Sequence, residues 1–350
     1  MRIPVRIRDA VEQAVTACLA IELESRGLLL PADRFAAAET QAATDGERLL
    51  TSVIHCCYPL SEYNTQTLML EFEDEIEASR VRSALAFGAA TAELLMPRRE
   101  DDPGSVPLLS AIFHLGIGLV DGVCDDEVGS GLRLLELIEV GDVAEAARQP
   151  RPRGWLRVQL PAELESDPTV SFAADIVETF FATLHATYPG ESWSQLRDHI
   201  GGQLAAALAA ERASLVASSA EASREQLTRY SYATSVLPFD IVGTLTLAGH
   251  ASGAARLVGE AMWRIDDLVD LCDDARTGAL NAVLLTASGS GREALEWLLA
   301  SEHIGRAAAD AADSLQRGME LAGCPDGTRC RDVFLQFVAR YAGIVPGEMP

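Results

Sequence analysis

Asp266, Asp270 and Asp274 recur at every fourth position in the segment from Trp263 to Asp274. On a helix this spacing puts three carboxylates on one face over two turns. Like charges so arranged repel one another, at a cost of a few tenths of a kcal/mol for each exposed pair. Their neighbours Ile265, Leu268, Val269 and Leu271 are apolar. Cations would neutralise such a row, and Mg2+ in particular takes oxygen ligands and completes its shell with water and phosphate. A second acidic group, Asp121, Asp125 and Asp126, ends an apolar segment that begins near Pro107. Asp121 and Asp125 share a helical face, and Gly122 leaves room for a bulky ligand or a neighbouring backbone. The helix macrodipole also opposes carboxylates at a C-terminus. Each group alone fits a solvated acidic face or a helix end as well. Two such rows facing each other across a helical bundle make a cage for several Mg2+ ions. Such a cage can hold a diphosphate and stabilise it as a leaving group.

The elements that must position these residues are helical throughout. Apolar periodicity predicts helices over 5–27, 33–57, 66–97, 106–128, 130–148, 169–187, 192–220, 223–250, 253–275, 290–322 and 328–343. No alternating strand pattern and no fixed-period repeat is evident. Nothing in the composition divides the 350 residues, so one large all-α domain is expected. The Pro- and Arg-rich segment from Gln149 to Pro168 reads as a linker or a lid, mobile until it closes over a ligand.

Charge and cysteine usage narrow the function classes. The net charge is −24 and all 28 basic residues are Arg. A surface this acidic argues against nucleic acid or an anionic membrane as partner. The absence of Lys excludes mechanisms that need one. Seven Cys without a CxxC pair suggest a reduced, cytosolic protein. The apolar stretch from Ala14 to Ile21 is bracketed by Arg8, Glu12 and Glu22, so neither a signal peptide nor a membrane anchor is expected. No later run is long enough for a membrane span. The six His contain no HExxH pattern, which disfavours a zinc hydrolase. His114 reads as a core or pocket-wall residue.

At the two acidic groups the chain resembles the class I isoprenoid synthases, which include terpene cyclases, trans-prenyltransferases and squalene/phytoene synthases. The stretch from Val258 to Asp270 is similar to the prenyltransferase helix that carries the second DDxxD motif. Asp266, Asp270 and Asp274 also occupy the ligand places of the cyclase pattern (N/D)Dxx(S/T)xxxE, with Asp replacing Ser/Thr and Glu at the last two. Asp121 and Asp125 resemble the DxxxD form of the first metal motif, and Gly122 interrupts the DDxxD form. Arg229, or Arg224 as its competitor, stands where cyclases place an Arg that senses diphosphate. Arg340-Tyr341 resembles the Arg-Tyr pair that closes over it, and Arg80-Val81-Arg82 the basic segment ahead of the first motif. The resemblance spans residues 80–343; the N-terminal helices of 1–75 have no counterpart in it.

This resemblance implies a helical bundle around a central cavity, about three Mg2+ ions held by Asp121, Asp125, Asp126, Asp266, Asp270 and Asp274, and a prenyl diphosphate substrate. It is also compatible with a homodimer. Diphosphate contacts fall to Arg229, Arg224, Arg340 and Tyr341, and the pocket walls to Trp263, Phe113, Phe87 and Phe239. Chain-elongating relatives bind a second diphosphate with Lys and an Arg-Arg-Gly segment. Here that place reads Gly129 to Arg133 and Lys is absent, so the expected activity is that of a one-substrate terpene cyclase, a lyase. A transferase that couples two prenyl chains, including the head-to-head squalene/phytoene type, is the alternative within the family. A non-catalytic helical scaffold that keeps diphosphate binding is the alternative outside it.

Overall fold

Val11, Val15, Leu19 and Leu23 recur at four-residue steps and are all buried, which fixes the inner face of the first helix, α1 (Val5–Ser25). Each Leu so buried contributes about 1.5–3 kcal/mol of transfer free energy. The same logic builds the rest of the molecule. The computed structural model describes residues 3–57, 75–96, 105–126, 128–161, 164, 167–216, 223–246 and 251–346. Among the described residues the regular structure is entirely helical, apart from turns.

The longer helices that follow are α2 (Ala32–Cys57), α3 (Glu75–Leu95), α4 (Ser105–Asp126), α5 (Val128–Val140), α6 (Val143–Arg148), α7 (Pro168–Thr187), α8 (Ser194–Val216) and α9 (Arg224–Leu245). The second half adds α10 (Ala251–Val269), α11 (Leu271–Thr277), α12 (Ala282–Thr286), α13 (Arg292–Leu299), α14 (His303–Ala322) and α15 (Arg329–Tyr341). Helices α3, α4, α7, α8, α9 and α10 pack in neighbouring pairs around a central space, with α15 laid against α2 and α3. Helix α14 backs α10, and α1 covers α14 from outside. The described residues thus form an all-α bundle.

Three expected helices are divided. The stretch 130–148 breaks at Gly141-Asp142, where a side chain at 141 would lie 2.4 Å from the Trp155 ring. Asp142 then takes a left-handed φ of 55° and caps α6 by accepting the Glu145 N–H. The stretch 253–275 turns at Asp270, although hydrogen bonds from Asp270 N–H to the Asp266 carbonyl and from Asp274 N–H to the Asp270 carbonyl carry the direction through. The stretch 290–322 breaks between α13 and α14. The expected starts at 66–74 and ends at 97, 217–220 and 247–250 lie outside the described residues.

The segment from Gln149 to Pro168 differs from a mobile lid where it is described. Trp155, Leu156, Leu160 and Leu164 are buried. Glu178 of α7 accepts the backbone N–H groups of Gly154, Leu156 and Arg157, at 2.6, 2.8 and 3.2 Å. Arg157 lies 3.5 Å from the buried Asp175. The Arg residues that suggested a lid sit on a loop whose apolar residues anchor it to α7.

Only Ser105–Cys124, among the described residues, is long and apolar enough to cross a membrane. Some 56% of it is buried inside the bundle, as befits a core helix.

Candidate functional site

Helices α3 to α10 and α15 enclose a cavity of about 690 Å³. Its deep walls are apolar: Ile112 and Phe113 of α4, Ile176, Phe180 and Phe181 of α7, and Leu204 of α8 are all buried. Its rim is polar and exposed, with Ser79 and Arg80 of α3, Asp121 of α4 and Tyr341 of α15. Asp266 of α10 completes the rim. The two acidic helices, far apart in sequence, therefore present one carboxylate each to the same opening.

Tyr341 ties these groups together. Its hydroxyl donates a hydrogen bond to Asp266 Oδ1. Although 42% of Tyr341 is exposed, its phenol pKa is pushed up, first by desolvation and then by the charges of Asp266, Asp270 and Asp121. Three of the six acidic residues thus converge electrostatically on one hydroxyl. Asp274 accepts a hydrogen bond from Asn281 at 2.8 Å. The backbone of Asp125 and Asp126 is the last turn of α4, and their side chains lie outside the described residues.

Asp267 has a different fate from its neighbours. It is buried, accepts the Ala282 N–H at 3.0 Å, and has its pKa raised to about 8 by burial and then by Asp266. Asn281 donates to the Asp267 carbonyl and caps α12 by accepting from Val283 and Leu284. Asp267 and Asn281 together pin the 278–282 turn beneath the acidic row. The Asn before an apolar run was a visible cap signal; its link to Asp267 was not visible.

All four expected wall aromatics line the cavity. Phe87 stacks on Phe334 with centroids 5.2 Å apart and meets Phe239 edge-on. Phe113 leans on Phe180 at 5.4 Å. Trp263 donates its indole N–H to Ser231 Oγ at 2.7 Å, which fixes the ring, and the Arg264 guanidinium lies 5.2 Å from its centroid.

The expected diphosphate contacts divide. Tyr341 borders the cavity, whereas Arg224, Arg229 and Arg340 do not. Arg229 is exposed and pairs with Glu225 at 3.2 Å. Helix α9 turns Thr234, Ser235 and Pro238 toward the cavity instead. Pro238 lacks an N–H, so the Thr234 carbonyl loses its usual helical partner there. Arg340 is paired with Glu39 of α2. Arg80 is the cationic side chain that borders the rim, among the described residues.

Asp121 and Asp266 put two carboxylates at the rim, and carboxylate oxygens are the donors that a hard divalent ion takes. No group of three His, Cys, Asp or Glu among the described residues is close enough to hold a metal by itself. Mg2+ commonly binds through one or two carboxylates, with water and phosphate supplying the other ligands. No known protein-family model matches this chain, and a search of curated proteins finds no match either.

Proposed function

We propose that the protein is a class I terpene cyclase-like lyase that ionises a prenyl diphosphate and releases diphosphate. The observation that carries this reading is the single cavity shared by Asp121, Asp266 and Tyr341 at its rim and by Phe87, Phe113, Phe239 and Trp263 in its walls. A polar, acidic mouth over an apolar chamber matches a substrate with a charged head and a hydrocarbon tail.

Mg2+ is the cofactor such a site would take; Asp121, Asp125, Asp126, Asp266, Asp270 and Asp274 would hold it, and it would supply positive charge against the diphosphate oxygens. Arg80 would add charge-assisted hydrogen bonds to the same head group, and the Tyr341 hydroxyl another once released from Asp266. Arg229 and Arg340 would contribute only after leaving Glu225 and Glu39. These donors favour heterolysis of the C–O bond because they stabilise the charge gathering on the leaving group. The aromatic walls would stabilise an allylic cation through their π-electrons and shield it from water.

The test is incubation of purified protein with Mg2+ and each of the C10, C15, C20 and C25 prenyl diphosphates. Diphosphate release and hydrocarbon products are both measured. Release with a cyclised product from one substrate is the expected result. Release that requires a second prenyl diphosphate would point to a coupling transferase. Mg2+-dependent binding of diphosphate without any release would point to a scaffold, and would end the cyclase reading.

A further inference from the structure

We propose that His114 is the base that removes the terminating proton from the cation formed in this cavity, so that its imidazole decides which alkene is released. The inference rests on the cyclase reading above.

His114 lies in the cavity wall on α4, seven residues before Asp121. That is two turns on the same stripe, so the imidazole sits about 10 Å further along the helix than the carboxylate at the rim. It is therefore remote from the head group and beside the hydrocarbon. Phe87 packs on it with centroids 4.7 Å apart, and Phe239 at 6.2 Å, both edge-on. Its position is set by the close crossing of α3 and α4. A side chain at Gly88 would come within 2.7 Å of His114 Cβ, and Ser110 Oγ donates to the Gly88 carbonyl at 2.7 Å.

The surroundings of this imidazole suit a neutral base. It lines the cavity and is half-buried, so a ligand in the cavity can reach the ring. Desolvation lowers its pKa to about 4, and no charged neighbour contributes to that shift. The ring is neutral at neutral pH, carries a free lone pair, and does not repel a cation.

The step balances without another reactant. The nitrogen lone pair takes a proton from a carbon next to the cationic centre. The C–H electron pair becomes the new C=C bond, and the positive charge moves to the imidazolium. A weak base suffices, because protons beside a carbocation are far more acidic than imidazolium. The imidazolium then gives its proton to the departing diphosphate or to water as product leaves.

The experiment compares wild type, His114→Phe and His114→Gln with Mg2+ and the four prenyl diphosphates, following diphosphate release and product identity together. Formation of the main alkene should fall on the order of 10²-fold in both variants, on the usual scale for a lost general base. Isomeric alkenes or alcohols should replace it, while diphosphate release falls less than about tenfold, less than that scale for a lost base. An unchanged product profile in His114→Phe would overturn the proposal and leave His114 a wall. Should that variant fail to fold by circular dichroism, His114→Gln supplies the same comparison, and an unchanged profile there overturns the proposal equally. No release by wild type from any substrate would overturn the cyclase reading, and this one with it.

Discussion

The Tyr341 hydroxyl donates to Asp266 Oδ1 across 75 positions of sequence, joining the last turn of α15 to the acidic face of α10. The bond satisfies one carboxylate of a crowded acidic rim and keeps the phenol's proton engaged until a ligand competes for it. Tyr341→Phe and Asp266→Asn should each lose it. A double-mutant cycle on thermal stability is expected to give a coupling of about 1 kcal/mol, the size of a partly exposed hydrogen bond to a charged group. Additive effects of the two substitutions would show that the bond is not populated in solution.

Asp270 and Asp273 are nearby acidic positions with opposite expectations. Asp270 acts on Tyr341 together with Asp121 and Asp266. Asp273 is exposed and turned toward Arg276 and Arg8, at 3.3 and 3.2 Å. Without metal, Asp270→Asn should leave the protein equally stable or a few tenths of a kcal/mol more so, because it relieves repulsion. With Mg2+ and inorganic diphosphate it should lose most of the thermal shift that ligand binding confers, and turnover should fall about 10²–10³-fold. Asp273→Asn removes two exposed ion pairs and should matter little in either condition. Equal small effects from both substitutions on thermal shift and turnover would mean that the metal face is wrongly assigned.

The helices were legible because their apolar residues repeat at helical spacing, and the acidic row at 266, 270 and 274 because carboxylates at steps of four stand out against Ile265 and Leu268. The breaks were not. At Gly141-Asp142 the chain carries a glycine and a left-handed Asp142, and the Trp155 ring that closes on Gly141 is brought there by tertiary packing. Asp267 lies one helical step round from the row, and its burial there is set by the bundle and not by the local pattern. Arg229 was placed by its distance from the acidic motif, but which side of α9 meets the cavity is set by packing around Pro238 and Phe239. The lid expectation counted Arg residues and overlooked Trp155, Leu156 and Leu160 between them.

Glu178 supports that loop beside its apolar anchors, with two oxygens accepting three backbone N–H groups. Burial raises its pKa, and the three donors counter part of the rise. Glu178→Gln keeps one acceptor oxygen and turns an NH2 toward a former donor. It should cost on the order of 2 kcal/mol, as expected for charged-group hydrogen bonds left unmade. Hydrogen exchange at Gly154, Leu156 and Arg157 should speed up while that of α7 changes little. Unaltered exchange in this loop would show that the apolar anchors suffice without Glu178.

The depressed pKa of His114 also makes a prediction for stability that needs no substrate. Its pKa falls from an ordinary 6.5 to about 4 in the folded protein. Between these values the unfolded chain binds the proton and the folded one does not. Stability therefore rises with pH across the window: the contribution is fully present above 6.5 and is lost as pH falls through it toward 4. Its full size is on the order of 3 kcal/mol, since each tenfold change in proton affinity is worth about 1.4 kcal/mol. Ordinary carboxylates titrate in the lower part of the same window, so the wild-type curve alone does not isolate this group. The difference between wild type and His114→Phe does. Denaturant unfolding at steps from about pH 4 to about pH 7 should show a shallower loss for the variant, with the two curves running parallel at higher pH. Parallel curves throughout would show that the imidazole is solvated in the cavity and titrates normally.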